Sequence, residues 1–133
     1  MGANYIRHSR VRVSTGNVTI AQANAGKIIV PGAPGRAYIV MGGWVRAKGD
    51  KVNEATTVDI CTKTTTPIVN VAVAKAAMTE NAVASFDAAT NTTRTTYGND
   101  NVAGHALQIL TVGTDESTCT SIDYCVRYMT AGA

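Results

Sequence analysis

Residues 105–129 read HALQILTVGTDESTCTSIDYCVRYM, two strand-like runs on either side of a polar loop that opens at Gly113. The even positions of the second run carry β-branched and aromatic residues: Thr120, Ile122, Tyr124, Val126 and Tyr128. A repeat of two residues is typical of a half-buried β-strand. A loop of about five residues is a common hairpin length. The stretch therefore predicts a C-terminal antiparallel hairpin whose even face lies in the core.

Short strand-like runs fill the rest of the chain, with turn residues at intervals of about 8–12 residues. The 133 residues are enough for one domain with its own core. Hydrophobic residues make up 45% and aromatic residues only 5%, so small and β-branched side chains dominate, which favours strands. We predict an all-β fold, an antiparallel, jelly-roll-like β-sandwich of about eight strands. A basic N-terminal arm at 1–16 precedes this single domain at 17–133.

The longest predicted strand, residues 36–47, has two glycines at its centre. Gly42 and Gly43 indicate a bulge or bend, which long strands use at corners between sheets. The odd positions are predicted to face the core. The even positions form a mixed face, on which two aromatic residues stand between two arginines: Arg36, Tyr38, Trp44 and Arg46. Three roles fit this face: packing against a second layer, a protein interface, or a platform for a sugar.

Two further segments determine how many strands and helices are predicted. The chain is predicted to break at 15–17 and to form one helical turn over 21–26, which Gly26 ends. Residues 75–89 fit either an alanine-rich helix capped by Thr79, or a turn at 79–81 followed by a strand over 82–87. The strands on both sides favour the second interpretation, because tertiary context often overrides helix propensity.

The net charge of +3 is too small to indicate nucleic-acid binding. Its distribution is uneven, because Arg7, His8, Arg10 and Arg12 lie within the first dozen residues. This segment is either a solvated edge strand or a basic arm that binds an acidic partner. No apolar run of about 20 residues indicates a membrane span, and the N-terminus lacks the apolar core of a secretory signal.

Three cysteines, an odd number, do not indicate a disulfide framework, and free thiols in a reducing cytoplasm are expected. Residues 57–61 and 121–125 nevertheless share one pattern: hydroxyl, apolar, Asp, apolar, Cys. Three explanations are open. The pattern is coincidence on the wetter faces of two strands, or Cys61 and Cys125 form a disulfide, or the two strands share a zinc site.

No motif for catalysis or for a cofactor is present. The two histidines, His8 and His105, have no partner at metal-ligand spacing, and no phosphate-binding glycine loop or nucleophile elbow occurs. The sequence therefore predicts a protein that is not an enzyme and uses no cofactor or metal.

Four segments resemble small structural proteins of tailed-phage heads, the decoration or cement class. They are Val18-Thr19-Ile20 with Asn24-Ala25-Gly26, Gly43-Trp44-Val45-Arg46-Ala47, Thr56-Thr57-Val58-Asp59-Ile60, and Thr118-Cys119-Thr120-Ser121-Ile122-Asp123-Tyr124. The resemblance implies a β-sandwich or jelly-roll subunit, commonly a trimer, that clamps the major capsid protein on the outside of the virion after synthesis in the host cytoplasm. It assigns no functional residue.

Partner-binding residues are therefore predicted from the residues themselves. They are the arginines of the N-terminal segment and the mixed face of the long strand: Arg7, Arg10, Arg12, Tyr38, Trp44 and Arg46. The alternatives are a carbohydrate-binding sandwich that uses Trp44 and Tyr38, and another phage component such as a tail, fibre or connector protein. Neither nucleic acid nor membrane is predicted as a partner.

Overall fold

The structure, a computed structural model, describes residues 11–86, 94–97 and 101–131. One short helix, α1 (Ile20–Ala25), and a single 3-10 turn (Lys75–Ala77) accompany the strands. The strands, in chain order, are β1 (Arg12–Thr19), β2 (Lys27–Val30), β3 (Ala37–Lys48), β4 (Ala55–Thr62), β5 (Val69–Ala74), β6 (Val83–Ser85), β7 (Arg94–Tyr97), β8 (Leu107–Gly113) and β9 (Ser121–Ala131).

The strands form two packed sheets. A four-stranded sheet has the order β1-β9-β3-β6, and a five-stranded sheet has the order β2-β8-β4-β5-β7. All pairs between these strands are antiparallel. With β7 set aside as an added edge, the pairs β1–β9, β2–β8, β3–β6 and β4–β5 make one long antiparallel ribbon that is rolled up, which is a jelly roll. The predicted jelly-roll-like β-sandwich is confirmed.

The predicted C-terminal hairpin is wrong. Strand β8 pairs with β2 and β4 in one sheet, whereas β9 pairs with β1 and β3 in the other. Residues 114–120 therefore cross between the sheets, which stack about 10 Å apart, instead of turning back. The predicted inward face of β9 is confirmed, since Ile122 and Val126 lie in the core and Tyr124 and Tyr128 pack against it.

A buried carboxylate holds this crossing in place. Glu116 is 2% exposed, and its Oε1 accepts hydrogen bonds from the backbone N–H groups of Asn53, Glu54 and Ala55 at 2.9, 2.8 and 3.1 Å. Its Oε2 accepts two more at 2.9 and 3.1 Å, from the backbone N–H groups of Thr118 and Cys119. The side chain thereby joins the β3–β4 connection to the β8–β9 connection and satisfies five backbone donors, which are costly to bury unpaired.

A bulge lies in the middle of β3, as the two glycines predict. The pairing with β9 shifts register between Val40 and Gly42. Gly43 has a φ of 141°, and a Cβ there would lie 1.9 Å from the carbonyl oxygen of Cys125. Only glycine fits this close approach of two backbones without displacement.

The bulge reverses which face of β3 is buried. Before it, Tyr38 and Val40 belong to the core, and after it, Val45 and Ala47 do. The prediction that the odd positions face inward along the whole strand is therefore wrong for the first half. Tyr38 and Trp44, predicted to share a face, lie on opposite sides of the sheet, because one extra residue shifts the alternation by one position.

Strand β1 runs without the predicted break at 15–17. Its Gly16 lies opposite Tyr124, and a Cβ at this glycine would lie 3.0 Å from the tyrosine Oη, so the aromatic ring covers the position. The predicted boundary of the arm at residue 16 falls inside β1, because Arg12–Gly16 pair with β9. Arg7, His8 and Arg10 lie outside the described residues.

The helical turn and the ambiguous segment are as predicted. Thr19 caps α1: its Oγ1 accepts from the N–H of Gln22 at 3.2 Å, while the Gln22 side chain accepts from the N–H of Thr19 at 3.0 Å. Gly26, with a φ of 86°, ends the helix. A turn at Asn81, whose φ is 62°, leads into the short strand β6, which confirms a strand rather than a helix there. Residues 87–89 of that segment lie outside the described part.

Strand β4 carries a buried carboxyl group on the side away from the core. Val58 and Ile60 belong to the core cluster, whereas Asp59 between them faces outward and is still only 4% exposed. Its Oδ1 accepts one hydrogen bond, at 2.7 Å from the Oγ1 of Thr57. Burial raises the pKa of Asp59, and the Thr57 hydrogen bond offsets only part of this effect.

We expect Asp59→Asn to raise the melting temperature at pH 7. A carboxyl pKa that is higher in the folded chain than the ordinary value of 3.8 means that ionised Asp59 costs stability at neutral pH. Below the ordinary value of 3.8 the carboxyl group is protonated in the folded and the unfolded chain, so this cost disappears. The stability gained by Asp59→Asn should therefore vanish near pH 3. Asparagine keeps the oxygen that accepts from Thr57 and removes a buried charge, and we expect a gain of about 1 kcal/mol. Thermal unfolding at both pH values measures it.

Asp115→Asn is the matched control, because Asp115 is exposed and its replacement removes the same charge. It should leave stability within about 0.5 kcal/mol of the wild type. A lower melting temperature for Asp59→Asn at pH 7 would show that the ionised group contributes to the fold instead of opposing it.

Candidate functional site

Of the residues predicted to bind a partner, the four that the structure describes lie on two separate surfaces. Trp44 and Arg46 lie on the outer face of the four-stranded sheet. Arg12 and Tyr38 line a cleft at the end of β1 and the start of β3. We call the first the Trp44 face. It comprises the outward residues of β1, β9, β3 and β6: Val13, Thr15, Asn17, Asp123, Cys125, Arg127, Trp44, Arg46, Val83 and Ser85.

Trp44 is surrounded by small neighbours on this face. Across the sheet it lies beside Cys125 and Ser85, and Thr15 follows on the far side of Cys125. All three neighbours have short side chains, so the half-buried indole is the largest side chain of its row. A large ring on a floor of small residues is available for contact with another molecule.

Hydrogen bonds fix Arg46 beside the indole. Its Nη2 and Nε donate to Asp123 Oδ2 at 2.8 and 3.2 Å, and its guanidinium carbon lies 5.4 Å from the centroid of the Trp44 ring. Asn17 Nδ2 donates to the other carboxylate oxygen at 2.8 Å. Burial opposes ionisation of Asp123, but the hydrogen bonds from Asn17 and Arg46 prevail and lower its pKa. The charged Asp123 therefore holds the guanidinium in one orientation at neutral pH.

Exposed valines lie on two sides of this aromatic–arginine pair. Val83, in the row of Arg46, is 52% exposed, and Val13, toward the other end of β1, is 56% exposed. An aromatic ring, an ordered arginine and exposed aliphatic side chains together have the composition of a protein interface.

The second surface, the Arg12–Arg36 cleft, has a volume of about 240 Å³. It is lined by residues of β1, β3, β9 and the turn before β3: Arg12, Ala33, Arg36, Tyr38, Tyr128 and Thr130. Register places Arg12 opposite Tyr128 and Tyr38 opposite Thr130. A tight turn, with a backbone hydrogen bond of 3.1 Å from Arg36 to Ala33, brings the second arginine to the same place.

The aromatic wall of the cleft is fixed by its own contacts. Tyr38 and Tyr128 meet edge to face, with centroids 5.4 Å apart and planes at 86°. The Tyr38 hydroxyl donates to the carbonyl oxygen of Pro31. Burial and the neighbouring Tyr128 raise the pKa of Tyr38, against the opposing effect of the Arg12 and Arg36 charges. The phenol is thus protonated at neutral pH, with its proton directed at Pro31.

The two arginines of the cleft are available to a ligand. Within the described part of the chain, neither guanidinium group makes a hydrogen bond or an ion pair, and no carboxylate lines the cleft. Arg12 is exposed and Arg36 is half-buried. Together they place two positive charges around one small opening, which Tyr38 also lines.

The structure excludes a disulfide between Cys61 and Cys125, which is one of the three explanations for the shared pattern. Cys61 is on β4 of the five-stranded sheet and Cys125 is on β9 of the four-stranded sheet, and both face away from the core. Two sheets therefore separate them, whereas a disulfide needs Cα atoms within about 7 Å. Cys61, Cys119 and Cys125 are free thiols. Burial, followed by the nearby Asp59 charge, raises the pKa of Cys61 to about 12.

Residues 57–61 and 121–125 share a sequence pattern but do not form a common site. The two aspartates lie on opposite outer faces of the sandwich, one buried beside Thr57 and one bound to Arg46. Coincidence is the explanation that fits. Among residues 11–86, 94–97 and 101–131, no three histidine, cysteine, aspartate or glutamate side chains come together as metal ligands would.

Sequence reasoning missed the grouping of Arg36 with Arg12. It assigned Arg36 to the same face as Trp44, because it did not account for the one-residue shift that the bulge causes between inward and outward positions of β3. The signal was present in the glycine pair, which predicts the bulge and hence the change of face. Tyr128 was predicted only as a core residue, and nothing in the sequence shows that its ring also lines an opening.

Comparison of the chain with models of protein families, with curated proteins and with solved structures gives no match. Within the described residues, no helix has the length and apolar character that a membrane-spanning helix requires.

Proposed function

We propose that the protein is a non-enzymatic structural protein of a virion, which binds the outer surface of the capsid as a decoration, or cement, protein. The major capsid protein is the partner, and the subunit acts as a homotrimer after synthesis in the host cytoplasm. The resemblance of four segments to phage head proteins supports this proposal, and the jelly-roll sandwich agrees with it.

The observation that carries the proposal is the Trp44 face. Tryptophan and arginine are the residues most enriched among the few that dominate binding energy at protein interfaces. Here the Asp123 carboxylate and Asn17 hold Arg46 against Trp44 before any partner arrives. A side chain that is already ordered loses less conformational entropy on binding, which favours a stable complex.

A subunit with such a face can reinforce a shell without catalysis. If the face contacts neighbouring capsid proteins only in their assembled arrangement, binding lowers the free energy of the assembled state alone. The shell then gains stability in proportion to the logarithm of the free subunit concentration relative to its dissociation constant. A trimer adds to this, because three linked faces bind with a high effective concentration.

The carbohydrate-binding alternative is weakened, because its two aromatic residues, Trp44 and Tyr38, do not lie on one surface. A platform of Trp44 and Tyr38 requires both rings on one surface, but Tyr38 is 5% exposed and lies on the other side of the sheet. Tail, fibre and connector proteins belong to the same structural class as a decoration protein. They differ in the partner bound, so the experiment below separates them.

Co-sedimentation with shells is the direct test. The purified chain should sediment with capsid shells of its own virus that were assembled without it, and not with unassembled capsid protein or with tails. Shells that carry the chain should also melt at a higher temperature than bare shells. Light scattering of the free chain should give the mass of a trimer. Sedimentation with tails only, or with neither structure, would contradict decoration of the capsid.

The basic N-terminal segment is a separate part of the proposal. Arg7 and Arg10 would add contacts to acidic capsid surface, in the manner of a charged arm. A chain that lacks residues 1–10 keeps the whole of β1, so it tests the arm while all nine described strands remain. Undiminished binding of this truncated chain to shells would show that the arm has no such role.

A further inference from the structure

We infer that the Arg12–Arg36 cleft binds one acidic side chain of the partner protein, whose carboxylate is held by the two guanidinium groups. The inference names the chemistry of the partner segment. It rests on the proposed function only in assigning that segment to a capsid protein, since the cleft can be tested with a peptide alone.

The size of the cleft limits what enters it. Its volume of about 240 Å³ is below the roughly 300–1,000 Å³ of pockets that hold whole small-molecule ligands. One side chain or one small anion fits such a space. The edge-to-face pair of Tyr38 and Tyr128 supplies an apolar wall, against which the methylene groups of a glutamate can pack.

The donors of the cleft favour an anion. The Tyr38 hydroxyl proton is directed at Pro31, so Arg12 and Arg36 are the charged donors in the lining. Neither guanidinium group has a hydrogen-bonding or ion-pair partner among the described residues, in contrast to that of Arg46, which is bound to Asp123. A guanidinium group matches the planar, two-oxygen geometry of a carboxylate and forms strong, charge-assisted hydrogen bonds with it.

A protein carboxylate fits better than the phosphates of a nucleic acid. Binding to a nucleic acid backbone uses many contacts along a track of positive charge. The cleft offers two arginines around one small opening, and the net charge of the chain is only +3. A single acidic side chain that enters next to β1 needs no such track.

Nuclear magnetic resonance titration of the full chain tests the inference. The side-chain Nε–H signals of Arg12 and Arg36 are followed while the peptide Ac-Gly-Glu-Gly-NH2 is added. Ac-Gly-Gln-Gly-NH2, which has the same shape without the charge, and inorganic phosphate are added in parallel. We expect saturable shifts of both signals with the glutamate peptide, at a dissociation constant in the millimolar range, and at least about tenfold weaker binding of the glutamine peptide.

Two variants and one control refine the result. Arg12→Gln and Arg36→Gln should each weaken binding of the glutamate peptide about tenfold. Lys51→Gln removes the same charge from an exposed loop residue outside the cleft and should leave binding unchanged. The comparison of the two peptides uses the wild-type chain, so it stands even if a variant does not fold.

Three results would overturn the inference. They are equal binding of the two peptides, the absence of shifts with the glutamate peptide, and phosphate binding at least about tenfold tighter than the glutamate peptide, which would make this a phosphate site. The shell experiment fails or succeeds independently. If the chain binds the peptide but not shells, the cleft inference stands and the capsid proposal is wrong. If it binds shells but not the peptide, the capsid proposal stands and the cleft inference is wrong.

Discussion

Replacing Glu116 with alanine is expected to lower the free energy of unfolding by about 3–4 kcal/mol. The change removes the acceptor of five backbone hydrogen bonds, from residues 53–55 and from residues 118 and 119. A hydrogen bond to a charged group contributes about 1.5–3 kcal/mol, and water that enters the exposed part of the loops recovers some of the loss. Urea denaturation followed by tryptophan fluorescence measures the difference.

Two further substitutions identify the cause. Glu116→Gln keeps one oxygen acceptor but places an amide N–H group against backbone donors, so its loss should lie between those of the wild type and the alanine variant. Asp115→Ala changes the exposed neighbour and should cost less than about 0.5 kcal/mol. A loss below about 1 kcal/mol for Glu116→Ala would mean that the two connections keep their conformation without the carboxylate.

Replacing Trp44 with alanine is expected to weaken binding to capsid shells by about 30-fold or more. Truncation of a central aromatic residue at an interface commonly costs 2 kcal/mol or more, and about 1.4 kcal/mol corresponds to a factor of ten. The substitution also removes the ring against which Arg46 lies, so it loosens the second contact residue of the Trp44 face. Quantitative co-sedimentation over a range of concentrations gives the ratio of dissociation constants.

The control lies on the other side of the molecule. Val112 of β8 is 39% exposed on the five-stranded sheet, so Val112→Ala removes exposed apolar area far from the Trp44 face. It should change shell binding by less than about threefold. The melting temperature of Trp44→Ala confirms that the chain is folded. Wild-type binding by a folded Trp44→Ala chain would remove the Trp44 face from the interface.

Local patterns predicted the elements well because they depend on neighbouring residues. Alternation along residues 120–128 predicted which side chains of β9 face the core, and the position of Gly26 predicted the end of α1. The glycine pair at 42 and 43 predicted the bulge. Each of these inferences uses only the two-residue repeat of a strand or the conformational freedom of glycine.

Relations between distant residues could not be predicted in the same way. Strands β8 and β9 have the sequence of a hairpin, but the sheet that each one joins depends on pairing with β4 and β3, which a single strand does not encode. The role of Glu116 depends likewise on donors some sixty residues earlier in the chain. The sequence also placed residues of two different surfaces on one face. The extra residue at the bulge shifts the alternation of β3, so Tyr38 and Arg36 do not lie on the face of Trp44.

The pairing of β1 with β9 also determines when the protein can fold. Thr19 lies opposite Ser121 and Arg12 opposite Tyr128, so the first and last described strands are direct neighbours in one sheet. Strand β9 also separates β1 from β3, and the four-stranded sheet cannot close before the ribosome has released β9. Until then the growing chain exposes the unpaired edges of β1 and β3, which other chains can join. Topologies that pair distant segments in this way fold slowly, and the exposed edges make the incomplete sheet prone to aggregation.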